Sequence, residues 1–400
     1  MLCKSNAKVT LKHGLLAVLG TVLTSSQCAL ALTFCLACTA FAQQAAPSSS
    51  QAPGHPELSH RPAPNLEAQG KMKIDVVVID GAGQPVAGLT QQDFTLLDNK
   101  KPQPILSFRA VNGVLGEGVA DPPVEVILLV DVANTPVEAV GYERDQVEKF
   151  LRRNGGQLMQ PTSLMIFDDQ GVKGLSRPTR DGNQLADELK RAEATTHSVP
   201  LTLQTESDRV SMSLKALQRI TGAAKTNAGR TMLIWVGSGW PMLEDSRYPF
   251  TKRDYAAQFN LVVTISSAMR DSRVTLYSVR PTDPPAMDEP RIQDYRSFLK
   301  GVASANQVQP GNLALPVLAV HSGGRAFDAP GDLSEEIARC IAEAKFYYAL
   351  GFDPVSANHV DEYHELGVRV DRPGLKVRTV TGYYGEPAFQ SSPPVLTGAH

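Results

Sequence analysis

From residue 124 to residue 344 two hydrophobic rhythms alternate along the chain. One is the continuous apolar run, as in "VEVILLVD" (124–131) and "TMLIWVGSG" (231–239). Runs of this length and β-branched content predict strands buried on both faces. "TSLMIFDD" (162–169), "GVKGLSRPT" (171–179) and "VTLYSVRP" (274–281) predict further strands. The other rhythm is helical. It runs through "VEAVGYERDQVEKFLRRN" (137–154), "DGNQLADELKRAE" (181–193), with Asp181 as its cap, and "DYAAQFNLVVTISSAMRD" (254–271). In "TESDRVSMSLKALQRI" (205–220) it places Val210, Leu214, Leu217 and Ile220 on one face. "PVLAVHSGGRAFD" (316–328) ends a helix and starts a short strand, and Leu333, Ile337 and Ala344 line a last helix.

Outside this region the pattern is β. "KMKIDVVVID" (71–80) predicts a strand, "GAGQP" (81–85) a turn, Thr90 to Asp93 a capped helical turn, and "FTLLDNKKPQPILSF" (94–108) a hairpin around Asp98-Asn99-Lys100. "KFYYALGFD" (345–353), "YHELGVRVD" (363–371) and "LKVRTVTGYY" (375–384) predict strands, with Arg372-Pro373-Gly374 as a turn. The front segment is too small to bury a core alone. It needs the strands from the other end as a partner sheet. The expected fold is therefore α/β: a doubly wound, mostly parallel sheet (Rossmann-like, 124–344) inserted in a small β-rich module made by both chain ends (71–112 and 345–386). Ligands on such sheets bind at the carboxyl ends of the strands, where Asp131 lies.

The flanks read differently. Lys4, Lys8 and Lys12 precede an apolar stretch over 14–42 that closes on Thr39-Ala40-Phe41-Ala42. This predicts a secretory signal over 1–42, with an uncleaved membrane anchor as its rival. Residues 43–70, rich in Pro, Ser and Ala, predict a disordered tether, and 387–400 a flexible tail. Four of the five cysteines lie in the leader, which leaves Cys340 alone in the exported chain, unable to form an internal disulfide or a thiolate zinc site. Its helix face, shared with Leu333 and Ile337, predicts a buried structural thiol. A formal net charge of −2 with no basic cluster excludes nucleic acid as the expected partner.

Five motifs in order carry a family resemblance: "GQPVAGLTQQDFTLLDNKKPQPILSF", "VILLVDVANT", "TMLIWVGSGWP", "HSGGRAF" and "YYALGFDP…YHELGVRVDRPGLKVRTVTGYYG". Over nearly all of 71–386 the chain resembles the von Willebrand factor type A (vWA) superfamily, and within it the VWFA-related family named for Acidobacteria. The resemblance implies a protein-binding domain, not an enzyme. It also implies a metal-ion-dependent adhesion site, in which a strand-end D-x-S-x-S, a Thr and an Asp from two further loops hold Mg²⁺ or Ca²⁺ through oxygen. Asp131 holds the first position and Thr135 replaces the second Ser, but Ala133 has no side-chain oxygen. Thr205, or Ser207 beside it, supplies the second-loop hydroxyl. Gly237 and Ser238 stand where the third-loop carboxylate is expected. Asn134 is an extra amide that strand alternation points away from the 131/133/135 face.

The reading is thus an exported (periplasmic, surface or secreted) adhesion or scaffold module with a degenerate metal site and no cofactor. Asp131, Asn134, Thr135, Ser238 and Trp240 form its partner-binding face, with Trp240 partly exposed and Trp235 in the core. The partner is a protein, and the membrane is involved only through an uncleaved leader. A working Mg²⁺ or Ca²⁺ site at Asp131, Thr135 and Thr205, and an envelope protein without a discrete ligand, are the alternatives. A serine hydrolase at Ser238 is the third: Val236 breaks the G-x-S-x-G elbow, and His321 has no reason to approach. Asp168-Asp169 read as a solvated hairpin turn, and "GAAKTNAGRT" (222–231) as a helix-end loop lacking the spacing of a phosphate loop.

Overall fold

A computed structural model describes residues 72–112, 124–193, 206–227, 229–240, 251–281, 295–329 and 332–387. The expected leader and tether lie outside these residues, as does most of the expected tail.

The chain begins in the β-rich module. β1 (Met72–Ile79) is followed by a 3₁₀ turn, Gln91–Asp93, whose capping box joins Thr90 and Asp93. β2 (Phe94–Asp98) and β3 (Lys101–Gln103) form the hairpin, with Asn99 and Lys100 at positive φ (48° and 66°) as a tight hairpin turn demands. The predicted hairpin over 94–108 is shorter than expected. After Gln103 the chain leaves this sheet, and β4 (Ser107–Asn112) pairs in another with β12 (Phe346–Phe352). The stretch 375–384 also divides, into β14 (Lys376–Arg378) beside β1 and β15 (Gly382–Gly385) beside β13 (Glu362–Val370). Two four-stranded sheets result, in the orders β14-β1-β12-β4 and β15-β13-β2-β3. Each takes strands from both ends of the chain. Val76, Val78, Leu96, Tyr348, Leu350 and Phe352 meet in their shared core.

Between these halves run β5 (Glu125–Asp131), α1 (Val137–Leu151), β6 (Gln157–Asp168), β7 (Gly171–Gly174), β8 (Thr179–Asp181), α2 (Gly182–Glu193), α3 (Glu206–Ala224), β9 (Thr231–Val236), α4 (Lys252–Asp271), β10 (Val274–Pro281), α5 (Leu315–His321), β11 (Arg325–Ala329) and α6 (Leu333–Ala342). The sheet order is β11-β10-β9-β5-β6-β7, with β8 also on β6. β11, β10, β9, β5 and β6 are parallel, while β7 and β8 run antiparallel to β6. Alternation divides each strand between two cores. Val126, Leu128 and Val130 face Val147 of α1, Leu185 of α2 and Ile337 of α6. Ile127, Leu129 and Ala133 face Leu217 of α3, Ile265 of α4 and Leu318 of α5. Helices on both faces leave the central strands no solvent side, which is why they read as unbroken apolar runs.

Polar groups tie the module to the amino ends of the sheet. Arg273, just before β10, forks onto Asp75 of β1 at 2.6 and 3.2 Å. Glu343, buried past α6, accepts the Tyr277 hydroxyl at 2.7 Å and pairs with Arg325 and Arg378. Arg230 is buried with its guanidinium over the Tyr347 ring. Unlike isolated surface pairs, these charges hold one another away from water, so removing one partner leaves the other uncompensated.

Candidate functional site at the carboxyl end of β5

β5 is where the sheet order turns back: β6 and β7 lie to one side of it, β9, β10 and β11 to the other. The carboxyl end of such a strand opens on the crevice of a doubly wound sheet. Asp131, its last residue, is fully buried there.

The carboxylate is enclosed by donors. Asn134 donates its backbone N–H to Oδ1 at 2.9 Å, and its side-chain amide reaches both oxygens at 3.1 and 2.8 Å. The Trp235 indole N–H donates to Oδ2 at 2.7 Å. The indole arrives from β9, where Trp235 pairs with Leu129; Leu129 and Asp131 are two apart on β5 and share a face. The amide of Asn134 continues to Ser213 Oγ on α3 at 3.0 Å, and Ser213 donates to the Arg209 carbonyl. Burial raises the Asp131 pKa to about 6, while the donors from Asn134 and Trp235 and the Ala133 amide oppose the rise.

Thr135 is engaged on its other side. Its hydroxyl lies 3.2 Å from both oxygens of Glu143, a buried carboxylate on α1, and accepts the Ser238 N–H at 3.4 Å. Gly237 closes the gap between β5 and β9. Its φ is +144°, and a Cβ there would stand 2.7 Å from the Asp131 Cβ and 3.1 Å from Thr135 Oγ1. Only glycine suits that backbone and that space.

No protein-family model matches the chain, and no curated protein does. Solved structures give distant likenesses. An aerotolerance-related membrane protein from Bacteroides fragilis aligns at 10% identity and a TM-score of 0.32, over 55% of this chain and 98% of that one. A manganese-loaded TRAP protein from Plasmodium vivax aligns at 12% and 0.31, over 70% and 98%. The SpRpn10 VWA domain aligns at 13% and 0.27, over 55% and 96%. Likeness this distant carries no functional argument, and the fold is read from strand order and packing alone.

The expected site residues fall into place unevenly. Asp131, Asn134, Thr135 and Ser238 come together, and Thr205 lies outside the described residues. Ser207 is exposed on the first turn of α3, whose contribution is Ser213 instead. Asn134 points toward Asp131, contrary to expectation. The chain leaves extended geometry after Asp131 and bends through 133–135, so strand alternation no longer applies. Trp240 is buried, its indole N–H on the Leu313 carbonyl at 2.9 Å and its ring edge-on to Trp235. Asp168 does precede the β6–β7 turn, but it is buried and paired with Lys173 at 2.7 Å rather than solvated. Near Ser238, Gly239 packs on Leu315 at the start of α5. His321 is at the far end of that helix, roughly 9 Å along its axis, and bonds Thr381.

Proposed function

We propose that the chain is an exported vWA-like protein-binding module, adhesive or scaffolding, whose ancestral metal position is now filled by its own side chains. One observation carries the reading: both Asp131 oxygens are already taken, by the Asn134 amide and the Trp235 indole. A divalent cation needs a shell of oxygens with room to approach. The residues described at Asp131 do not fit one. Ala133 brings no oxygen, Gly237 is pressed against Asp131, and the Thr135 hydroxyl is spent on Glu143. Among the described residues no three acidic, His or Cys side chains gather as a metal would need.

The same burial redraws the binding face. Asp131, Asn134, Thr135 and Trp240 are buried, which supports a role in shaping the crevice from below while residues around them meet the partner. Partly exposed Ser238 and the entry to α1, where Val137 is 56% exposed, form the outer surface. No catalytic role is assigned to any of these residues.

The test is capture from an envelope extract by the immobilised protein, wild type and Val137→Glu, with and without EDTA, beside calorimetry with Mg²⁺, Ca²⁺ and Mn²⁺. The expected result is capture that survives EDTA, weakens at least tenfold in Val137→Glu, and comes with no heat of metal binding. Capture that EDTA abolishes and Mg²⁺ restores would establish the metal-dependent alternative.

A further inference from the structure

β1 is packed on both faces and bonded along its length. Its first five residues pair antiparallel with β12, from Met72 opposite Phe352 to Val76 opposite Tyr348. Its last three pair with β14, from Val77 opposite Arg378 to Ile79 opposite Lys376. Alternation sends Val77 and Ile79 into the core that holds Leu333 and Ile337 of α6. Ile74, Val76 and Val78 enter the core between the two small sheets. Further ties fasten the strand. Asp75 holds the Arg273 fork, and its carbonyl accepts the Thr379 hydroxyl at 2.9 Å. Past the strand, the Tyr348 hydroxyl accepts the Leu89 N–H at 3.1 Å and donates to the Val86 carbonyl at 2.8 Å. The chain leaving β1 is thus pinned to the strand that β1 pairs with.

The two ends of this sheet have different connections. β12 begins at Phe346, shortly after α6, and Phe346 lies opposite Asn112, the last residue of β4. Both chain connections to the central domain are therefore at one end. Met72, where the preceding chain enters, lies against Phe352 at the other. Tension applied at Met72 and held at the central domain pulls β1 and β12 in opposite directions along their length. Antiparallel hydrogen bonds lie across the strands, so this pull strains all the paired positions together instead of opening them one by one. β5, which takes the pull from the crevice, is held at six positions by β6 and at six by β9. The last strand is fastened differently. β15 pairs with β13 at four positions and, among the described residues, has no strand on its outer edge. A pull from residue 387 peels it from Gly385 inward.

We propose that β1 is a shear clamp, carrying tension between the chain before residue 72 and the crevice at the carboxyl end of β5. On the reading of the chain as a tethered binding module, on which this rests, a bound partner pulls the clamp in its strong direction. Building the module from both chain ends puts the incoming strand inside a sheet and the outgoing strand at an edge. The molecule is then strong toward its N-terminal side and weak toward its C-terminal side.

Single-molecule force spectroscopy on the full chain tests this. One handle is placed at residue 137, through an azide-bearing residue in place of the exposed Val137, and the other at the first or the last residue. Rupture through the N-terminal handle should need about twice the force of the first opening through the C-terminal handle, following the number of positions strained together. Forced unfolding is governed by the unfolding barrier along the pulled direction, so one fold gives two forces. Asp75→Asn should lower the N-terminal rupture force and leave the C-terminal opening unchanged. Equal forces in the two directions, or a weaker N-terminal one, overturn the clamp, as does an Asp75→Asn loss shared by both. Should Asp75→Asn fail to fold, the wild-type ratio decides alone. These forces need no partner, so a failed capture would sink the adhesive reading and leave the ratio standing.

Discussion

Trp235 shows how one side chain changes what a site does. Its ring fills the core between Phe167 and Trp240, while its N–H must find an acceptor because it is fully buried. The acceptor it finds is Asp131. Replacing it by Phe keeps most of the packing and strips the carboxylate of one donor. Trp235→Phe should cost about 1.5–3 kcal/mol in urea unfolding at pH 8, where Asp131 is ionised. The cost should shrink at pH 5, below the raised pKa of about 6, where the group is protonated in the fold and needs the donor less. An equal loss at both pH values would mean that packing alone is at stake. This arrangement was half legible in the sequence. Asp131 at a strand end, Ala133 without an oxygen and Gly237 opposite were all readable. Glu143 and Ser213 were not, because nothing local marks a helix residue as facing a strand end many residues away. Asn134 was misjudged because a period-two rule was carried past the end of its strand.

Among elements, periodicity located nearly every strand and helix, since a residue's burial is set by the face it occupies. Val210, Leu214, Leu217 and Ile220 of α3 are buried as their spacing requires. Pairing was less accessible. Nothing in 94–108 says that β4 abandons its neighbour for another sheet; that follows from which edge β12 leaves open. Local capping was legible, and it is testable. The Asp181 carboxylate accepts the Gln184 N–H at 3.0 Å at the start of α2. Asp181→Ala should lower stability by about 1 kcal/mol, read as a shift in the denaturation midpoint with an unchanged slope. A null result would show that β8, which ends at Asp181, holds the helix start without its cap.

At the level of the whole molecule, the insertion topology was foreseeable from the small size of the front segment. The ionic groups that fix it to the sheet base were not. Asp75, Arg273, Glu343 and Arg378 come from four separate stretches, and each alone reads as a surface charge. The pairing of β1 with β12 and β14 also orders events in time. β1 leaves the ribosome long before its partners, which follow the whole central domain in the chain. Until then "MKIDVVVI" offers two unpaired edges and a β-branched apolar surface, the usual seed of intermolecular sheets. The central domain is then an intramolecular matchmaker: its folding brings the late strands to the waiting one. A chain stopped at residue 344 should therefore form soluble aggregates on size-exclusion chromatography, whereas one continued to residue 387 should elute as a discrete species. Quality control during synthesis would thus rest on the strands after residue 344 arriving before β1 finds a stranger.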